Sequence, residues 1–221
     1  MSDSAEEGFD MTDKQMEKQV EALLASSNNG ILEIIKAVDP VLRRKSGKAW
    51  GALSPELLLN LIEAMRLTML DAPGVGLAGP QVGLPLSLAV VEDHDRGIEG
   101  DERERSEFPF HVIIDPVYHP VEEKGEKPFF EGCLSVPGFQ AVRRRWLEVD
   151  ATWLDEEGVK HEERLHGWPA RIFQHETDHL HGEIYIDKAN TRSLTTYENL
   201  KDYWHIERTP DDMAKACDFE L

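Results

Sequence analysis

The sequence predicts an α+β fold of small antiparallel or mixed sheets, with an N-terminal helix and a C-terminal extension. Three observations carry that prediction. Strand-like runs crowd the middle of the chain from Leu86 to Trp153, punctuated by proline and glycine. Two strongly patterned helices flank them, one opening at Ser54 and one covering roughly Trp168 to His181. The strands and helices do not alternate, which argues against a βαβ sheet.

Each element has a local reason. Residues 1–30 form an acidic extension, with seven acids against Lys14 and Lys18. Met16, Val20, Leu23 and Leu24 fall at helical spacing and predict a short amphipathic helix; the other reading is a loosely attached tail. The run Ser26-Ser27-Asn28-Asn29-Gly30 reads as its stop and linker. Ile31 to Val38 is a β-branched stretch before Asp39-Pro40. Ser54 is an N-cap, Pro55 takes the first helical position, and Glu56 adds an acid to the first turn. Leu58, Leu61, Ile62, Met65 and Met69 give that helix an apolar stripe. Leu86–Val91, His111–Ile114, Val117–Val121 and Val142–Trp153 are strand candidates, and Ile184–Ile186 is a short one. Residues 93–109 hold seven acids and three arginines and read as a solvated loop. The later helix is entered through Gly167-Trp168-Pro169 and closed by Gly182. In the polar tail, Tyr197, Leu200, Tyr203 and Trp204 could dock a helix, and Thr209-Pro210 breaks it. The domain reading is an extension over 1–30, a main unit over 31–190 and a second extension over 191–221.

Composition narrows the function classes. The chain has 221 residues, of which 40% are apolar, enough for a real core. Its 24 basic and 43 acidic residues leave a net charge of −19, which repels phosphate backbones and argues against general nucleic-acid binding. No apolar run is long enough to span a membrane, and the acidic start does not resemble a secretory or transit signal. Cys133 and Cys217 cannot form a disulfide framework. A cytoplasmic protein with thiols available for chemistry is expected.

The sharpest chemical signal is His175-Glu176-Thr177-Asp178-His179. Residues i and i+4 of a helix share one face about 6 Å apart along the axis, so both imidazoles can reach one metal ion. Glu176 then sits beside the ion, where it can handle a proton. A catalytic site usually wants a third ligand and an open position. The metzincin arrangement keeps Gly182 but has Tyr185 where its third histidine belongs. A thermolysin-like arrangement would draw on Glu198 or Glu207, with nothing around them to support the role. The remaining option is Cys133 in Glu131-Gly132-Cys133-Leu134-Ser135; as a thiolate it is a strong ligand, and alone it would read as a small core residue. A third motif, Gly74 to Gly83, has neither the spacing of a dinucleotide fingerprint nor the lysine of a phosphate loop. It reads as backbone laid close to a ligand, with Gln81 presenting an amide.

Taken together, Gly74 to Gln81, Glu131 to Ser135 and Gln174 to Leu180 resemble, in order, the three motifs of the peptide deformylase family. The resemblance runs from about Ile31 to Lys188. Gly79 stands where the family often has alanine, and Gln140 where many members carry arginine near the substrate. The resemblance implies sheets packed around a central metal-binding helix. It implies that Cys133, His175 and His179 hold one divalent ion, Fe(II) by family habit, with zinc, nickel or cobalt able to replace it. Glu176 would be the general acid/base for metal-activated water. Gln81 and the backbone N–H of Leu134 would face the oxyanion, and Val75, Gly76, Glu131 and Gly132 would line the cleft. An apolar pocket using Trp168, Ile172 and the methylenes of Arg171 would take a methionine side chain. The implied substrates are N-formylmethionyl nascent peptides, with formate released. A transient ribosome contact goes with that activity, although the tail from 191 has four basic and seven acidic residues. Two rival readings are a metallopeptidase built on the same helix and a non-catalytic metal-binding module.

Overall fold

The computed structural model describes residues 12–37 and 39–221; the reading of Met1 to Asp10 and the end of the Ile31–Val38 stretch lie outside the described residues. Two antiparallel sheets hold a helix between them. The first has five strands in the order β1 (Gly76–Ala78), β2 (Leu88–Asp93), β3 (Phe108–Pro120), β6 (Glu148–Leu154) and β7 (Lys160–His166). The second pairs β4 (Glu126–Cys133), β5 (Val136–Trp146) and β8 (Thr195–Thr196). Helix α3 (Gly167–Leu180) lies between them. Its Ala170, Ile172, Phe173 and Leu180 enter the core of the first sheet, and its polar side chains meet the second.

The helices form as their sequences dictate. In α1 (Asp13–Ser26), Met16 and Val20 are buried against α2 (Pro55–Asp71) in the main core. Ser54 Oγ accepts from the Leu57 N–H, and the predicted stripe of α2 is buried. Thr68, also buried, donates to Ala64 O and accepts from the Leu32 N–H at 2.8 Å. That bond ties down the 31–37 segment, which runs extended outside both sheets. The same segment donates from Ile35 to Gln81 O and from Ala37 to Ser135 O, clipping together the two loops that matter below.

Several elements differ from the sequence reading. The Val142–Trp153 run is two strands in different sheets; the chain crosses over at Leu147, whose N–H donates to Gly125 O. His111–Ile114 and Val117–Pro120 belong to one long strand, with Val121 just past its end; it is bulged at Asp115, which takes φ 48° and accepts the Ala49 N–H. Ile184–Ile186 is not a strand: Asp187 caps the Ile184 N–H and winds Tyr185–Asp187 into a helical turn. The charged 93–109 segment is not simply solvated, because Asp93, Asp101, Arg103 and Arg105 pair within it and are largely buried. β4 and β7 escaped notice. At the sheet edge β7 buries only Leu165, so its alternation is faint.

The C-terminal residues fold onto the second sheet. Leu200 of α4 (Tyr197–Tyr203) and Met213 of α5 (Asp211–Cys217) pack against Phe130 and Val142. No helix among the described residues is long and apolar enough to cross a membrane. Because Val20 is fully buried against α2, Val20→Asp places a charge in that core. The expected outcome is a thermal midpoint lower by several degrees, read by calorimetry; a midpoint within about a degree of wild type contradicts α1 as part of the body.

Candidate metal centre

Helix α3 presents His175 and His179 toward the end of β4. His179 Nε2 lies 3.2 Å from His175 Nε2 and 3.2 Å from Cys133 Sγ. The ligand atoms of Cys133, His175 and His179 all fall within 4.8 Å of one another, the one such group of histidine, cysteine and acids among the described residues. Three ligands about 2.0–2.3 Å from a tetrahedral ion sit roughly 3.3–3.7 Å apart. The trio therefore fits a single divalent ion, and two imidazoles with a thiolate suit zinc or ferrous iron. Glu198 and Glu207 are not in this group, and Cys217 packs in the C-terminal cluster instead.

The ring of His175 is set by Glu131, whose Oε1 accepts from His175 Nδ1 at 2.7 Å. Glu131 itself is buried and gripped by two arginines. Arg145 approaches it through Nε and Nη2 at 2.8 and 2.6 Å, and Arg171 Nη1 lies at 2.9 Å. Burial pushes the Glu131 carboxyl up, but Arg145 and His175 outweigh it and hold it well below the usual carboxylate range. Burial likewise works against a charged His175, yet Cys133 and Glu131 raise it to about 10. Burial and the neighbouring His175 push His179 far down.

Glu176 stands apart from this grip. Its Oε2 is buried without a hydrogen-bond partner, and burial pushes its carboxyl up to about 7. Gly76 makes room for it: a Cβ there would run into the Glu176 carboxyl group. Gln81 is held by its Oε1, which accepts the Ala78 N–H at 2.8 Å. That bond turns Nε2 toward Cys133 Sγ at 3.5 Å and Ser135 Oγ at 3.4 Å. Gly79, beside it, is packed so closely that a Cβ would meet Leu86 O at 2.7 Å, so alanine does not suit this backbone.

A cleft of about 670 Å³ opens over the trio, and Val75, Gly76, Gln81, Gly132, Leu134 and Glu176 line it. Trp168, Arg171 and Ile172 line its far wall. Glu131 also borders the cleft, while its carboxylate oxygens serve His175 and the arginines rather than the opening. Gln140 sits at the rim, its Cγ 3.2 Å from where a Cβ of Gly132 would stand.

Sequence reasoning missed Arg143 and Arg145. Both point inward from β5 while Arg144 points out, and both reach Asp178 Oδ2 of α3, at 2.7 and 2.8 Å. Three consecutive arginines read as a solvated run, and only strand alternation turns the first and third of them inward. Gln174 adds a two-way bond with the Trp146 backbone.

The family model described as Polypeptide deformylase matches residues 31–194. Peptide deformylase of Bifidobacterium adolescentis is 54% identical over 211 residues, covering 95% of this chain and 96% of that protein. Peptide deformylase 1 of Streptomyces coelicolor is 48% identical, covering 92% and 93%. Among solved structures, the chain is similar to peptide deformylase from Thermotoga maritima, with a TM-score of 0.62 and 32% identity over 72% of this chain and 98% of that one.

Glu131→Gln keeps the shape but removes the charge that orients His175. It is expected to weaken metal binding about 10–100-fold, measured by competition with a chromophoric chelator; unchanged affinity contradicts the assigned orientation.

Proposed function

The chain belongs to the polypeptide deformylase family, and on that premise we propose how its own side chains carry out the reaction. The enzyme removes the N-formyl group from the terminal methionine of newly made polypeptides and releases formate. Membership of that family sets aside the metallopeptidase and the non-catalytic module.

On this reading Cys133, His175 and His179 hold the ion, with Fe(II) native and zinc, nickel or cobalt able to substitute. A divalent ion held there supplies Lewis acidity, which activates water and polarises a carbonyl. Glu176 takes the proton from the attacking water at its unpartnered oxygen, in a buried setting that raises its basicity. Water adds to the formyl carbon. Gln81 Nε2–H and the Leu134 N–H donate to the oxygen as it gains charge. Glu176 then delivers its proton to the departing amine, leaving formate and a free amino terminus. Val75, Gly76 and Gly132 keep the walls narrow around the reacting group, which suits a formyl hydrogen and disfavours a methyl in its place. The observation that most supports the reading is the unpartnered Glu176 carboxylate beside the Cys133, His175 and His179 atoms. Work in the cytoplasm, with only a transient meeting with the ribosome, accords with the acidic 191–221 segment.

The deciding experiment is formate release from formyl-Met-Ala-Ser by anaerobically purified, metal-loaded protein. Glu176→Ala is expected to keep its metal and lose at least ~10²-fold in rate. Cys133→Ser is expected to lose tight metal binding, read by metal analysis. Near-full activity in Glu176→Ala, or full metal retention in Cys133→Ser, contradicts the corresponding assignment. Gln81→Leu is expected to lower kcat by ~10²–10³ with the metal retained; an unchanged kcat removes Gln81 from the oxyanion site.

A further inference from the structure

Two segments that the sequence reading did not connect with the site also line the cleft. Arg103, from the charged 93–109 segment, and Ile206, from the C-terminal region, line the same cleft as His175 and Glu176. Their segments are joined next to these two residues: the Glu102 N–H donates to Glu207 O at 2.8 Å, and Thr209 donates to Glu102 Oε2 through N and Oγ1.

Arg103 is an unusual wall residue. Its guanidinium makes two bonds to Asp101, Nε at 2.9 Å and Nη2 at 2.6 Å, and both side chains are nine-tenths or more buried. The charge is thus spent within the segment. What remains for the cleft is an aliphatic stem and a flat face set 5.2 Å from the Trp168 ring centre. Trp168 is itself locked, its Nε1–H donating to Asp93 Oδ2 at 2.7 Å, with Arg105 on the ring 4.9 Å from its centre. The segment lies tight against the start of the helix, where the Trp168 N–H donates to Glu104 O at 3.4 Å. Gly167 takes φ +59°, and a Cβ there would lie 2.8 Å from Glu104 O.

Distance along α3 completes the argument. Trp168 precedes His175 by seven residues, about 10 Å of helix rise. An extended methionine reaches about 7 Å from its formyl carbon to its terminal methyl, six bonds in all. A wall at Trp168 therefore stands where that methyl ends, once atomic radii are included.

Resting on the deformylase reading above, we propose that Arg103 and Ile206 are specificity-determining residues. Arg103, set against Trp168, and Ile206, on the segment bonded beside it, form a gauge that sets how long or wide a first side chain the cleft accepts. Neither touches the reacting atoms. Ile206→Ala opens the gauge from one side. The double variant Asp101→Ala/Arg103→Ala opens it from the other without leaving a buried charge unpaired.

The test compares kcat/KM for formyl-Met-Ala-Ser, formyl-Phe-Ala-Ser and formyl-Ala-Ala-Ser in wild type and both variants. Calorimetric binding of Met-Ala-Ser and Phe-Ala-Ser gives a readout independent of turnover. The phenylalanine-to-methionine ratio is expected to rise roughly tenfold or more in each variant, in rate and in binding. The alanine substrate, too short to reach the wall, is expected to keep its kcat/KM. A parallel fall for all three substrates, or an unchanged ratio beside normal formate release, overturns the gauge and leaves the deformylase reading intact. No formate from wild type with any substrate overturns both.

Discussion

Two buried arginines on one strand set the terms for the rest of the molecule. Arg143 and Arg145 project from β5 into the space where α3 packs, and a buried guanidinium without a counter-charge is prohibitively costly. Their acids come from different elements: Glu131 from β4 and Asp178 from α3, with Glu183 just beyond the helix. Satisfying the charges therefore fixes the helix against the second sheet in one register. Tyr118 of β3 also donates to Asp178, at 3.1 Å, so the first sheet is tied to the same acid. A purely apolar seam would hold the three layers together but would allow them to slide. The ion-pair seam does not, and it positions the imidazoles relative to the thiol.

The same network explains how one carboxylate can serve structure and chemistry together. Glu131 balances Arg145 and Arg171 and still accepts from His175. Burial pulls the Arg171 guanidinium down to about 10, a sign of how dry this layer is. In such surroundings a fixed dipole or charge acts with little screening. Glu176, one residue from His175, keeps an oxygen with no hydrogen-bond partner. Two buried acids within one small volume are thereby held in different protonation regimes, Glu176 raised by burial and Glu131 lowered by Arg145 and His175.

The chemistry was legible in the sequence because few residue types can do it and because helical spacing is rigid. His175 and His179 had to share a face, and Cys133, which alone reads as a small core residue, took its role from the motifs on either side of it. The stripe of α2 and its Ser54 cap were equally plain. What could not be read was anything set by partners distant in the chain. The crossover at Leu147 has no turn residue, so an unbroken run of strand formers hid a change of sheet. The Tyr185–Asp187 turn depends on a cap by Asp187 that apolar periodicity does not register. The 93–109 segment looked solvated because its charges were counted rather than paired, and pairing within the segment is what buries Asp101 and Arg103. Ile206 could not be linked to the cleft at all until the chain was folded.

The central claim is that one thiolate and two imidazoles share a single ion. X-ray absorption at the edge of the bound metal in anaerobically loaded protein tests it most directly. The account predicts a first shell of one sulfur near 2.3 Å and two imidazole nitrogens near 2.0–2.1 Å. A shell without sulfur, or with only one imidazole, would contradict it.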